Sequence, residues 1–394
     1  MEKVRILSSE YGAFRDDILK FFKETLLEEP SVIFDPMAGT APLIPFIETN
    51  GHTAYLNDIL PIHFWINKAK THQAFRSYQQ RGYDWYFRES LHCLSSLEGK
   101  EKYISDKWIA DGILRDLVKA WHAAESHDRN SATVLKAVIL LCVRPLSSTT
   151  KSKNPTWLRY GGMSSGKDLR EIIRGSLTRF DEYYRHHYPM STIARKRGKC
   201  IISMKNVPDL SLPQKVDLIL TSPPYCNRLD PMVQYGPENY FLAALGYTIP
   251  DESLVSTTKV RDYDRLALDF KSLTAKSENA CRLLTKIRES PIADDPGYYL
   301  KYYTRYFAKL FQVISKALSY LSKTGRMYIV TQDNTHRGEL IEIDKVLSDL
   351  LKAERWRSMV IETWERHHQG LQNVSRNHAF VRPKQLEKLM VVWR

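Results

Sequence analysis

Apolar and polar positions along this chain switch between two periods. From Phe14 to Leu27 the residues Phe14, Ile18, Leu19, Phe21, Phe22 and Leu26 recur at helical spacing, which predicts an amphipathic helix. Ser31-Val32-Ile33-Phe34 reads as a short buried strand that runs into Asp35-Pro36-Met37-Ala38-Gly39-Thr40-Ala41. A second strand, His52 to Leu56, ends at Asn57-Asp58. Strands alternating with helices at this spacing predict βαβ units and a parallel sheet.

From about Lys70 to Arg197 the pattern turns helical. Trp108 to Ser126, Ala132 to Val143 and Asp168 to Tyr184 are predicted helices, with a polar stretch from Ser147 to Lys167 among them. A third strand is expected from Lys199 to Ser203 and a fourth from Val216 to Leu220. Residues 226–297 read as an irregular segment of loops and short helices, rich in charge and tyrosine. Tyr299 to Leu321 carries an apolar face of Tyr303, Phe307, Leu310, Phe311, Ile314 and Leu318, and Gly325 is expected to close that helix as a C-cap. Arg326 to Val330, Ser358 to Thr363 and Lys388 to Trp393 are the remaining predicted strands. The expected architecture is an α/β fold with a mostly parallel sheet and a mainly helical insertion between strands two and three.

The fourth strand ends in Thr221-Ser222-Pro223-Pro224-Tyr225. Two consecutive prolines stop a strand, because neither donates to a ladder and both fix φ near −65°. They make a stiff elbow at the carboxyl end of a strand, where open α/β sheets place their ligands. With a hydroxyl on one side and an aromatic ring on the other, the elbow suits a flat ring that bears an amine.

Composition narrows the class. At 394 residues, 43% of them hydrophobic and 26% charged, the chain can build a large core under a soluble surface. No apolar run reaches the ~18–20 residues that cross a membrane, so no membrane partner is expected. Met1-Glu2-Lys3-Val4-Arg5 lacks the apolar run of a signal peptide, which makes a cytoplasmic location the expectation. Cys93, Cys142, Cys200, Cys226 and Cys281 form no CxxC pair and suggest reduced thiols. His367 and His368 are adjacent and poorly spaced for one ion, so no metal is expected. The net charge of +13 is high for an enzyme of small metabolites and suits a polyanionic partner.

Taken in order, these segments resemble the class I, Rossmann-like methyltransferases that methylate exocyclic amines in DNA. Asp35-Pro36-Met37-Ala38-Gly39-Thr40 resembles the family's first motif, the turn that holds S-adenosylmethionine, with Ala41 where a second glycine is common. Asn57-Asp58-Ile59 resembles the acidic motif at the ribose, and Thr221-Ser222-Pro223-Pro224-Tyr225 resembles the catalytic motif. The resemblance covers roughly residues 10–70 and 198–394. It implies a cofactor-binding half over 1–70, a helical insertion over 71–197 that can read the target, and a catalytic half over 198–394.

Each implied role has a physical reason. A glycine at position 39 lets backbone approach the cofactor. Asp58 can accept hydrogen bonds from two vicinal ribose hydroxyls. Ser222 and the Pro223 carbonyl can hold an exocyclic amine so that its lone pair faces the methyl group, and Tyr225 can stack on a flipped base. Thr221 joins the cofactor set, and Pro224 the catalytic one. The third strand lacks the aspartate common near the cofactor's adenine, leaving Lys205, Asn206 or no side chain there. Cys226 beside the motif is expected to pack rather than act as a nucleophile.

The resemblance implies cytosine N4 as the target, since family members with serine at the head of this motif tend to methylate it, with adenine N6, RNA cytidine N4 and a catalytically silent nucleic-acid binder as the alternatives. DNA contact is expected from Lys151, Lys153, Trp157, Arg159, Arg195, Lys196, Arg197, Asn227 and Arg228. In a restriction-modification setting the cutting partner would be a separate restriction endonuclease chain, since no nuclease segment is evident.

Overall fold

The computed structural model describes residues 16–26, 29–98, 108–150, 159–160, 168–188, 198–226, 230–250, 254–257, 262–289, 296–336, 339–365 and 385–394. A seven-stranded, mostly parallel sheet orders the molecule. Its strands in chain order are β1 (Val32–Asp35), β2 (Thr53–Asn57), β5 (Lys199–Ser203), β6 (Val216–Thr221), β7 (Leu321–Gln332), β10 (Arg357–Glu365) and β11 (Leu386–Trp393), and in space they run β10-β11-β7-β6-β1-β2-β5. Two further pairs, β3 (Thr149–Thr150) with β4 (Arg159–Tyr160) and β8 (Asn334–His336) with β9 (Glu339–Ile341), stand apart from it.

β1 pairs parallel with β6, β6 with β7 and β2 with β5, whereas β11 runs antiparallel to both β7 and β10. Strand order therefore reverses beside β1: the chain moves from β1 out to β2 and β5, then returns to β6 on the other side. Such a reversal opens a crevice at the carboxyl ends of the two central strands. Central strands bury both faces, as β11 shows with six consecutive buried residues, while β10 at the edge keeps charged side chains outward.

Two compact units divide the chain: residues 1–30, 39–204 and 232–249 form one, and 31–38, 205–231 and 250–394 form the other. In the first, α3 (Pro61–Ala69), α4 (His72–Arg81), α5 (Tyr83–Cys93), α6 (Asp111–Ala124), α7 (Arg129–Val143) and α8 (Leu169–His187) pack around α7, which buries twelve of its residues from Ser131 to Val143. α10 (Gly236–Ala244) packs against α3, α6 and α7, and Arg144 clamps it by donating to both Glu238 carboxylate oxygens at 2.7 and 2.9 Å. In the second unit α13 (Pro296–Leu318) buries Tyr303, Phe307, Leu310, Ile314 and Leu318 of the predicted face, adds Tyr302 and Tyr306, and leaves Phe311 half-buried.

Several expectations change. The first helix is short, α1 (Asp16–Phe21), and continues as a π turn, Phe22–Leu26. The segment 226–297 holds the expected helices, α9 (Pro231–Gln234), α10, α11 (Tyr263–Lys276) and α12 (Glu278–Arg288), of which the last two are longer than the short helices expected. Local chemistry explains the last two: the Asp262 carboxylate caps α11 by accepting the Arg265 N–H, and the Ser277 hydroxyl caps α12 by accepting the Ala280 N–H. α12 then buries Ala280, Leu283, Leu284 and Ile287 at helical spacing under a charged exterior.

Gly325 is not a helix cap. α13 ends at Leu318 and the chain enters the sheet at Leu321, where Leu321 pairs with Val216; pairing resumes only at Arg326 opposite Leu218. The intervening residues bulge. A Cβ on Gly325 would lie 2.8 Å from the Asp217 carbonyl oxygen, so glycine is required there by close approach of the neighbouring strand. Beyond β9 the chain forms α14 (Ile343–Ala353), which sequence reading missed.

Candidate active site

The turn after β1 is closed by its own aspartate: the Met37 N–H donates to Asp35 Oδ1 at 3.1 Å. Asp35, Pro36, Ala38 and Thr40 are buried, while Met37 and Gly39 are partly open. Gly39 has φ +52° and Ala41 φ +41°, both in the left-handed region. Among the described residues a Cβ on Gly39 would meet nothing within 4 Å, which leaves room beside this turn for a ligand.

Asp58, just past β2, grips the turn from the other side of the loop. Its Oδ2 accepts the Gly39 N–H at 2.8 Å, its Oδ1 accepts the Leu60 N–H at 2.9 Å, and its own N–H donates to Ser203 O at 3.2 Å. His63 Nδ1 lies 3.1 Å from Asp58 Oδ2, and His63 Nε2 is 3.3 Å from the Tyr235 hydroxyl. Burial alone would raise the Asp58 pKa. The His63 charge and hydrogen bonds from His63, Leu60 and Gly39 outweigh it and hold the carboxyl below its usual range. Asp58 is therefore ionised at neutral pH and partly committed to its own loop. A carboxylate offers about four acceptor directions, so a second acceptor direction on Oδ1 remains for hydroxyl groups.

Asn67 of α3 and Lys70, the residue that ends it, hold the same turn. Asn67 Nδ2 donates to Gly39 O at 2.8 Å, and Lys70 Nζ donates to Thr40 O. Both are buried, at 1% and 4% exposure, so these carbonyl bonds are not solvent accidents. Asn57 turns the other way and accepts the Ser203 hydroxyl at 2.9 Å, while Ile59 is half-buried.

The second cluster sits at the carboxyl end of β6. Pro224 O accepts the Tyr306 hydroxyl at 2.8 Å, the Tyr225 hydroxyl donates to Glu387, and Cys226 O accepts from Asn334 Nδ2. Three successive elbow residues are thus tied to α13, β11 and the start of β8. At about 1 kcal/mol each, these bonds make the elbow rigid rather than merely kinked. Burial, then the neighbouring Cys226 and Tyr225, push the Tyr306 phenol well above its ordinary pKa, so it stays a proton donor. Cys226 is fully buried, in keeping with a packing role.

Ser222 and Pro223 differ from their neighbours. Ser222 Oγ is buried yet has no hydrogen-bond partner, and the Pro223 carbonyl takes no hydrogen bond, among the described residues. A buried polar group without a partner costs ~1–3 kcal/mol. Thr221 Oγ1, on the strand itself, is also buried and unpaired. Because β1 and β6 are direct parallel neighbours, the Asp35–Ala38 turn and the Ser222–Tyr225 elbow leave the sheet at the same edge.

β11 also carries a buried ionic knot. Lys388 Nζ is 2.8 Å from Asp344 Oδ1 and 3.0 Å from Asp333 Oδ1, and Leu386 N–H donates to Asp333 Oδ2 at 3.2 Å. Burial would lower the Lys388 pKa, but the two carboxylates outweigh it and raise it. On the third strand's exit, Asn206 Nδ2 donates to Asp209 Oδ2 at 3.2 Å, and Lys205 is exposed.

Of the proposed DNA contacts, Lys151, Lys153, Trp157, Arg195, Lys196, Arg197, Asn227 and Arg228 lie outside the described residues, and only the backbone of Arg159 is described, in β4. Sequence reading missed His63, Asn67, Lys70, Tyr306, Asn334 and Glu387. Proline at the first position of α3, directly after Asp58-Ile59-Leu60, was the available signal for the first three. No helix among the described residues is long and apolar enough to cross a membrane. No protein-family model and no curated protein matches the chain.

Proposed function

We propose that this chain transfers a methyl group from S-adenosylmethionine to the exocyclic N4 of cytosine in DNA, on a base rotated out of the duplex. The observation that carries the reading is the contrast within the elbow: Pro224, Tyr225 and Cys226 are held by protein partners, while the Ser222 hydroxyl and the Pro223 carbonyl have none among the described residues. Two acceptors on consecutive residues match the two hydrogens of an exocyclic amine. Their grip draws the amine out of conjugation with its ring and points the nitrogen lone pair in one direction. The Tyr225 ring supplies a stacking face for the base.

The cofactor reading rests on the turn at the head of the chain. Room beside Gly39 and an ionised Asp58 suit a ribose-bearing, positively charged ligand. When bound, S-adenosylmethionine supplies an electrophilic methyl on its sulfonium. Asp58 would hold the ribose, and residues Asp35–Thr40 would line the methionine side. The net charge of +13 supports a polyanionic carrier for the base. No covalent enzyme intermediate is needed, because nitrogen attacks the methyl carbon directly.

Titration calorimetry with S-adenosylmethionine tests the cofactor half. Saturable binding that Asp58→Ala weakens at least tenfold is expected, a loss of about 1.4 kcal/mol. Absence of heat with the wild-type chain overturns the reading. Adenine N6 and RNA cytidine N4 are separated from cytosine N4 by the identity of the methylated nucleoside.

A further inference from the structure

Tyr225 is the aromatic member of the elbow, and its backbone is fixed on both sides by the bonds to Pro224 O and Cys226 O. The remaining freedom is in its side-chain torsions. The phenol is held at its far end, where it donates to the carboxylate of Glu387, 162 positions later in the chain. Glu387 is 5% exposed on β11, opposite Gln332 of β7. Burying a carboxylate costs several kcal/mol unless hydrogen bonds compensate, and the Tyr225 phenol supplies one of them. Successive strand residues face opposite sides of a sheet, and the next residue, Lys388, is already engaged by Asp333 and Asp344.

A bond at the phenolic oxygen acts at the ring's far end, in the ring plane. It fixes the direction of the ring and leaves both faces unblocked by the bond itself. A preset ring spares the ordering cost that a freely rotating side chain pays when a base stacks on it.

We propose that Glu387 is a positioning residue for substrate: it orients Tyr225 so that the ring presents a fixed stacking face to the flipped base. The inference rests on the methyltransferase reading above and adds a residue that the catalytic motif does not contain. Glu387 touches neither methyl nor amine. It acts only through Tyr225.

The test compares full-length wild type with Glu387→Ala, Glu387→Gln, Tyr225→Phe and the double variant Tyr225→Phe/Glu387→Ala, using mixed-sequence duplex DNA and labelled S-adenosylmethionine. Glu387→Ala is expected to lower kcat by about tenfold, with the KM for S-adenosylmethionine within about twofold of wild type. Glu387→Gln, which still accepts the phenol's hydrogen, recovers most of that loss. In the Tyr225→Phe background Glu387→Ala adds no further loss. Equal kcat in wild type and Glu387→Ala overturns the inference. So does a double variant whose losses multiply, or a glutamine variant no better than alanine. Should Glu387→Ala fail to fold, the same comparison is made with Tyr225→Phe, Glu387→Gln and their double. Tyr225→Phe is then expected to lose about tenfold in kcat, with nothing further lost on adding Glu387→Gln, and an unaltered kcat for Tyr225→Phe overturns the inference. A wild-type chain that methylates no DNA overturns the methyltransferase reading itself, and this inference falls with it.

Discussion

Asn67 Nδ2 donates to the carbonyl of Gly39 at 2.8 Å, tying helix α3 to the turn that follows the first strand. One helical turn on, Lys70 donates to the carbonyl of Thr40 while its ammonium sits 5.1 Å from the Tyr183 ring. The Gly39 N–H meanwhile goes to Asp58. Gly39 is therefore held at both its N–H and its C=O, each by a side chain from the second strand-helix unit.

Removing the Asn67 amide should loosen this turn. Asn67→Ala is expected to weaken S-adenosylmethionine binding by about 5-fold, the equivalent of ~1 kcal/mol for one lost buried hydrogen bond. Titration calorimetry on the folded variant reads it directly. Wild-type affinity in Asn67→Ala would show that the turn holds its shape without α3.

Ala41 carries strain that a glycine would relieve. Its φ of +41° lies where an L-residue pays ~1–2 kcal/mol, against a glycine's added unfolded-state entropy of ~0.5–1 kcal/mol. Ala41→Gly is expected to raise unfolding stability by about 0.5–1 kcal/mol in urea titrations. A destabilised variant would contradict the assigned strain.

Ser222→Ala should separate stability from function. The hydroxyl is buried without a partner among the described residues, so its removal is expected to leave stability equal to wild type or raise it by up to ~1 kcal/mol. Methyl transfer should fall at least about 100-fold, because the amine loses one of its two acceptors. Loss of stability together with activity would assign Ser222 to the core instead.

Glu48 gives the first unit a pH dependence. Burial pushes its carboxyl from 4.5 up to about 7, against the opposing hydrogen bonds from the Tyr188 hydroxyl and the His72 N–H, each 2.7 Å long. Because the folded-state value is raised, the native chain holds a proton that the unfolded chain releases. The associated stability is fully present below about pH 4.5 and is lost as pH rises through about 7, up to ~3 kcal/mol. The unfolding free energy of wild type should therefore fall relative to that of Glu48→Gln as pH rises from about 5 to about 8. A pH-independent difference would contradict the raised value.

Much of the sheet was legible because its strands are short runs of Val, Ile and Leu bounded by turn residues. Val32 to Phe34, Val216 to Leu220 and Lys388 to Trp393 all lie within observed strands. Helix α13 was legible from the spacing of Tyr303, Phe307, Leu310 and Ile314. Helices α4 and α5 were not, because His72-Gln73-Ala74-Phe75-Arg76 and its continuation bury only a few side chains under a polar surface. Gly325 misled because glycine serves both helix ends and strand bulges, and only the approach of Asp217 decides between them.

At the site, Ser222, Tyr225, Gly39 and Asp58 were read from local motifs. Their supports were not, since each is a contact between distant positions: Gly39 with Asn67, Pro224 with Tyr306, Tyr225 with Glu387. A carboxylate at position 387 in a strand reads as a solvent-facing residue until the fold buries it against a tyrosine. Long-range pairing leaves no trace in local periodicity.

Methyl transfer to cytosine N4 is decided by nucleoside mass spectrometry of DNA incubated with the purified chain and S-adenosylmethionine. N4-methylcytosine that is absent from a parallel Ser222→Ala reaction is the predicted result. N6-methyladenine in its place would overturn the choice of base, and DNA carrying no new methylated nucleoside would contradict the account.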